Sequence, residues 1–81
     1  TVNTKAEINI YPNPTTDAIN IEAPKGTHIA IYNSTGNKVS ATISNQEKEQ
    51  IDLQQLPTGL YIINLYNEEA GLNERRKIMK L

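Results

Sequence analysis

Isoleucines alternate with polar or small residues from the start of the chain. Ile8 and Ile10 flank Asn9, Ile19 and Ile21 flank Asn20, and Ile29 and Ile31 flank Ala30, with His28 and Tyr32 on either side. A period of two sends successive side chains to opposite faces of an extended segment, and β-branched residues suit that geometry. The pattern predicts three short strands. A fourth follows where Val39, Ala41 and Ile43 alternate with Ser40, Thr42 and Ser44, and a fifth where Ile51 and Leu53 flank Asp52. Residues 60–66 are apolar almost throughout, which predicts a sixth strand covered on both faces. Residues 73–81 run back as a seventh. Apolar spacing of three and four never persists across three turns, so no helix is predicted.

Turn chemistry separates these segments. Pro12 and Pro14 end the first strand, since each lacks an N–H and fixes φ, and Asn13 between them is pushed towards extended geometry. Thr15, Thr16 and Asp17 read as a polar turn, as do Pro24-Lys25-Gly26 and Glu68-Glu69-Ala70-Gly71. The run from Asn33 to Asn37 is a tight connection in which Gly36 can adopt positive φ, so the third and fourth strands should form a hairpin. Residues 45–49 read as a charged loop, and Leu56 lies in a loop closed by Pro57 and Gly59. Residues 1–7 are polar and unpatterned, a linker before a domain spanning 8–81. Short strands punctuated every ~8–12 positions predict an all-β sandwich of two antiparallel sheets. Its expected core is Ile19, Ile21, Ile29, Ile31, Val39, Ile51, Leu53, Tyr61, Ile63, Leu65 and Ile78.

A chain of 81 residues makes one domain. Such a chain buries only roughly 60–65% of its unfolded surface, so its stability margin is thin. With no Phe and no Trp, the core has to be aliphatic plus tyrosine. The net charge of −1 argues against bulk attraction to nucleic acid or an anionic membrane. The absence of cysteine removes disulfides, thiolate catalysis and cysteine zinc sites. No apolar run approaches the ~20 residues of a membrane helix, so direct membrane insertion is not expected. No signal-peptide pattern is visible, so an export signal would lie upstream of Thr1.

Candidate chemistry is sparse. His28 sits in an alternating strand as a solvent-facing or rim residue. Ser34, Ser40 and Ser44 lie in or beside a small hairpin with no base positioned by any motif. Asp17 and Asp52 fall in different segments, and nothing pairs them as acid and base. Glu47/Glu49 and Glu68/Glu69 read as solvated loop charges without calcium-loop spacing. Asn33-Ser34-Thr35 satisfies the N-glycosylation pattern, and it also suits a turn in which the asparagine side chain bonds local backbone. No phosphate loop or dinucleotide fingerprint is present. No catalytic residue, metal site or cofactor is expected. The terminal cations Arg75, Arg76, Lys77 and Lys80 fit a recognition surface. They equally fit charges that keep an edge strand from sticking to its neighbours, and an edge is also a site for strand addition.

Several blocks together resemble a known family. These are Tyr11-Pro12-Asn13-Pro14, Asp17 with Ile19 and Ile21, Ile31-Tyr32-Asn33 with Gly36, Ile51-Asp52-Leu53 with Leu56, Gly59 and Tyr61, and the closing Lys77-Ile78-Met79-Lys80. In order and spacing, over residues 8–81, they resemble the C-terminal sorting domain of the type IX secretion system. Arg76-Lys77 replaces the family's usual lysine pair, and Met79 replaces a β-branched residue. The resemblance implies a seven-stranded antiparallel immunoglobulin-like β-sandwich. It also implies a non-enzymatic signal on the C-terminal side of a cargo domain in Bacteroidetes-type bacteria. The cargo would pass through the periplasm, engage the outer-membrane translocon, and end at the cell surface or secreted. A cell-surface sortase-type peptidase would remove the domain and attach the cargo, cutting in or before residues 1–7. By the same resemblance, Lys77, Ile78, Met79, Lys80 and Leu81 form the block read by the translocon. Pro12, Asn13, Pro14, Asp17, Gly36, Leu56, Gly59 and Tyr61 match family positions whose expected role is fold maintenance. The alternative is an immunoglobulin-like accessory or carbohydrate-binding module of a secreted enzyme or adhesin. Sugar platforms use exposed aromatics, and Tyr11, Tyr32, Tyr61 and Tyr66 are the only candidates.

Overall fold

Every second residue of the isoleucine-rich segments is buried, and this alternation organises the molecule. The computed structural model describes residues 8–81; the expected linker over residues 1–7 lies outside the described residues. Seven strands follow in chain order: β1 (Asn9–Tyr11), β2 (Ala18–Glu22), β3 (His28–Asn33), β4 (Lys38–Ile43), β5 (Lys48–Asp52), β6 (Gly59–Asn67) and β7 (Leu72–Lys80). They form a three-stranded sheet ordered β1-β2-β5 and a four-stranded sheet ordered β4-β3-β6-β7, with every strand pair antiparallel. The expected all-β sandwich and the β3–β4 hairpin are both present.

Nine of the eleven expected core residues are fully buried, from Ile19 and Ile21 through Ile63, Leu65 and Ile78, and Ile8, Ala23 and Leu72 join them. Val39 and Ile51 are half-buried and pack against this cluster. Val39 owes its place to a register shift between Ile31 and Tyr32, where Ile31 pairs with Ser40 and Tyr32 with Lys38, so that Val39 is skipped. Beyond that bulge, Ile29 and Ile31 of the core face stand opposite Thr42 and Ser40. Ala41 and Ile43 therefore stand on the outer face, and Ile43 is exposed.

Three expectations are corrected. Strand β6 is not covered on both faces: Tyr61, Ile63, Leu65 and Asn67 are buried, whereas Leu60 and Tyr66 are exposed on the outer face. On that outer face Tyr66 packs against His28, ring centroids 6.2 Å apart, and among the described residues no further layer lies over it. Residues 48 and 49 belong to β5, not to a charged loop, because Lys48 pairs with Glu22 across the sheet, Nζ to Oε2 3.7 Å. The segment after Pro14 is not simply a polar turn. Thr15 is buried and forms a parallel bridge with Lys80.

A buried polar group closes the end of the sandwich formed by the β2–β3, β4–β5 and β6–β7 connections. Ser44 Oγ accepts the Thr27 N–H at 3.0 Å and donates to the Pro24 carbonyl at 3.1 Å. Asn67 Nδ2 donates to Thr27 Oγ1 at 3.2 Å, and Asn67 Oδ1 accepts the Ala70 N–H at 3.1 Å. Each buried side-chain polar atom among the described residues has a partner, as a low-dielectric interior requires. Ser44 is thus occupied structurally.

Candidate functional site

Antiparallel connectivity brings the β1–β2, β3–β4 and β5–β6 connections and the last residues of β7 to the opposite end of the sandwich. The blocks singled out in the sequence all lie there. Residues separated by more than sixty positions meet directly.

The centre of this end is a strap. The Tyr11–Pro12 and Asn13–Pro14 peptide bonds are both cis. The Asn13 side chain lies against the edge of β7, where Nδ2 donates to the Lys77 carbonyl at 3.3 Å and Oδ1 accepts the Met79 N–H at 3.1 Å. One amide side chain therefore stands in for a strand partner, offering one donor and one acceptor. Thr15 continues the pairing with its backbone: its N–H donates to the Met79 carbonyl at 2.9 Å, and its carbonyl accepts the Leu81 N–H at 2.8 Å. The Thr15 hydroxyl donates to the Ala18 carbonyl at 2.8 Å, and the Asp17 carbonyl accepts the Leu53 N–H at 2.7 Å. The strap thereby ties β7 of one sheet to the β2–β5 end of the other. Asp17 contributes its backbone, and its side chain is exposed.

Around the strap, the other matched residues support the same end. Tyr61 is buried opposite Ile78, and its hydroxyl donates to the Pro57 carbonyl at 2.6 Å. This pins the β5–β6 loop through a tyrosine set four residues downstream, an arrangement familiar in sandwich folds. Leu56 is half-buried against the core, and its N–H donates to the Leu53 carbonyl at 3.0 Å. Gly59 pairs with Lys80 at φ +152°, a conformation that disfavours any side chain, although a Cβ there would meet no atom within 4 Å. Gly36 takes φ +92° in the β3–β4 turn. In that turn Asn33 Oδ1 accepts the N–H groups of Thr35 and Asn37 at 3.1 and 2.9 Å and the Thr35 hydroxyl at 2.7 Å. The turn reading of Asn33 accounts for its side-chain oxygen completely.

The five terminal residues divide by parity. Lys77, Met79 and Leu81 are exposed, whereas Ile78 and Lys80 are buried with the core face, Lys80 at 7% exposure. The Lys80 side chain runs inward along the face that carries Ile78, so the exposed cations of β7 are Arg75, Arg76 and Lys77. Lys80 was expected among the surface cations, but its position two residues from Ile78 sends its stem into the sandwich. Arg76 Nε reaches Glu74 Oε1 at 3.2 Å, and Arg75 Nε reaches Asn64 Oδ1 at 3.4 Å. The buried polar residues Thr15, Thr27 and Asn67 carry no local motif that marks them from the sequence.

Residues 9–80 match the family described as the secretion system C-terminal sorting domain. The chain belongs to that family. As a sorting domain of type IX secretion, it serves a cargo linked on its N-terminal side and bound for secretion or the cell surface, and it works with the secretion machinery. The family is one of sorting signals, not of enzymes. In fold, the sorting domain resembles part of PorZ, described as an essential bacterial surface component of the type-IX secretion system of Porphyromonas gingivalis. The TM-score is 0.80 at 18% identity over 91% of this chain. The matched stretch is 11% of the PorZ chain, so the likeness is one of fold and agrees with an immunoglobulin-like sandwich. No curated protein sequence matches the chain.

Proposed function

We propose that the sorting domain is grasped by the outer-membrane translocon at the strapped end of the sandwich. The exposed side chains Lys77, Met79 and Leu81 are the points of contact. The observation that carries this reading is the convergence of the family blocks on the terminal strand, which the strap of Asn13 and Thr15 holds in a set position. Ile78 and Lys80 act within this block from inside, by fixing the strand against Tyr61 and Gly59. The cargo would cross the periplasm before engagement. A surface peptidase of sortase type would then cut in or before residues 1–7 and attach the cargo. The accessory-module alternative has less support, since Tyr61 is buried, Tyr32 is half-buried, the Tyr11 hydroxyl bonds Glu22 and Tyr66 is tilted against His28, so the described residues do not set the four tyrosines side by side as one platform.

The test is a fluorescent protein with a periplasmic export signal, fused ahead of residues 1–81 and expressed in a bacterium with type IX secretion. The unaltered fusion should reach the surface. A Lys77→Glu, Met79→Ser, Leu81→Ser variant should stay in the periplasm while its melting temperature remains close to the parent value. Surface delivery by that folded variant refutes the contact assignment. Deleting residues 77–81 is less informative, because it also removes buried Ile78 and every bond between the strap and β7, and a failure would then report unfolding.

A further inference from the structure

The strap covers only half of an edge. Strand β7 is the outer strand of its sheet, and its register with β6 runs without a shift from Leu72 to Lys80. Because the Met79 N–H and C=O and the Lys77 C=O point away from β6 to the strap, the same alternation turns the backbone groups of Asn73 and Arg75, and the Lys77 N–H, outward as well. Among the described residues these groups have no backbone partner. They form a short ladder of donors and acceptors, a template for one more strand.

We propose that this open ladder, from Asn73 to Lys77, takes up an extended segment of a partner protein bearing acidic side chains at alternate positions. Charge selects the occupant. Arg75 and Lys77 stand on the same exposed face of β7, two residues apart, and among the described residues no carboxylate is paired with either; Arg76, the next cation, has Glu74. An added strand would set its own side chains beside Arg75 and Lys77 at cross-strand spacing, where opposite charges attract and like charges repel. A second copy of this chain is disfavoured by the same rule. Antiparallel pairing of two such edges about Arg75 sets Arg75 against Arg75 and Asn73 against Lys77. Pairing is also confined in length, because the strap occupies the edge from the Lys77 carbonyl onward. The inference rests on the sorting reading only for its setting in secretion; the ladder and its charge belong to the fold itself.

The test uses the 81-residue chain with two synthetic heptapeptides, one alternating threonine with glutamate and one alternating threonine with lysine. Binding is read by amide chemical shifts and hydrogen exchange. The glutamate peptide should shift the amides of residues 73–77 and slow exchange at Arg75 and Lys77. The lysine peptide should bind about tenfold more weakly or not at all. An Arg75→Glu, Lys77→Glu variant should reverse the preference. Arg75→Pro, which removes an outward N–H tolerably on an edge, should abolish binding with the fold retained. If that variant does not fold, the charge-reversed variant decides. The inference is overturned by any of three results: equal effects of the two peptides, binding that leaves Arg75 exchange unchanged, or no binding at millimolar peptide. Self-association through residues 73–77 overturns it too. Failure of the unaltered chain to bind the glutamate peptide, with its fusion still delivered to the surface, removes this inference and leaves the contacts at Lys77, Met79 and Leu81 standing, so the two readings fail separately.

Discussion

Replacing Asn13 with alanine tests whether the strap holds the terminal strand. The substitution removes the donor to the Lys77 carbonyl and the acceptor for the Met79 N–H, at 3.3 and 3.1 Å, and leaves the Thr15 pairing chemically intact. Each neutral hydrogen bond is worth about 0.5–1.5 kcal/mol net. Both bonds here are exposed, so water can replace the lost partners, and the expected cost lies low in that range, about 1–2 kcal/mol in all. For a domain of this size, each kcal/mol lowers the melting temperature by about 4–8 °C. Denaturant unfolding gives the total, and hydrogen exchange gives the location: the Met79 amide should lose protection while Ile63 and Leu65, central in β6, should not. Asn13→Asp is a sharper control. It keeps an acceptor for Met79 but turns a carboxylate towards the Lys77 carbonyl, so it should be at least as damaging at neutral pH. The deficit should shrink below pH ~4, where the protonated acid can donate. A stability change under ~0.3 kcal/mol with unaltered Met79 exchange would refute the reasoning, because the side chain would then be an ornament on an edge held by Thr15 alone.

Other substitutions probe the same end. Tyr61→Phe keeps the buried ring and deletes the hydroxyl bond to Pro57, so it should cost about 1–2 kcal/mol in denaturant unfolding; no loss would show that the loop is fixed by Leu56 instead. Gly59→Ala and Gly59→Val should destabilise by similar amounts, roughly 1–3 kcal/mol, because the penalty lies in the positive φ and not in a clash. A large gap between the two in melting temperature would contradict that assignment. The Glu22 carboxyl is held below the usual glutamate range, first by the Tyr11 hydroxyl at 2.7 Å, then by Asn9 and Lys48. A depressed carboxylate contributes stability that is full above its unfolded pKa, about 4.3, and is lost as pH falls through the lower folded value. Carboxyl NMR should therefore find a low midpoint for Glu22 that rises in Tyr11→Phe, and an unmoved midpoint would sink this account.

Much of the sandwich was legible because it depends on local alternation. Ile19 and Ile21, or Ile29 and Ile31, announce a buried face by repeating every second residue, and the turns between them contain Pro, Gly and Asn where the chain reverses. What escaped notice depends on partners distant in the chain. Thr15 looks like a turn residue because its neighbours are polar, and its value lies in backbone pairing with Met79 and Leu81. Asn13 gives no sign that its amide will act as a piece of strand. Lys80 is instructive in another way, since its even parity with Leu72 and Ile78 did place it inward and its charge argued the reverse. Parity prevailed because a lysine stem can be buried while its ammonium stays hydrated. In β4 the alternation was present but displaced by the bulge at Val39, which nothing in the residues around it signals.

The way the fold treats its four outer strands explains why one stretch stands apart. Unpaired strand edges invite unwanted association, and natural sheets blunt them. Strand β1 spans only Asn9–Tyr11 and ends in Pro12. Strand β4 carries a bulge and begins with an exposed lysine. Strand β5 alternates exposed Lys48, Gln50 and Asp52, and the loop before it bonds back through the Glu47 carbonyl to the Ala23 N–H. Strand β7 is as long as any in the molecule, nine residues, and would be the worst exposed. Its terminal half is closed by Asn13 and Thr15, and among the described residues its first half is guarded by charge alone. Charge of one sign excludes a second copy of the chain but not a partner of opposite sign. An edge protected in this manner is therefore selective, and in a domain that works by being recognised, that selectivity is available for use.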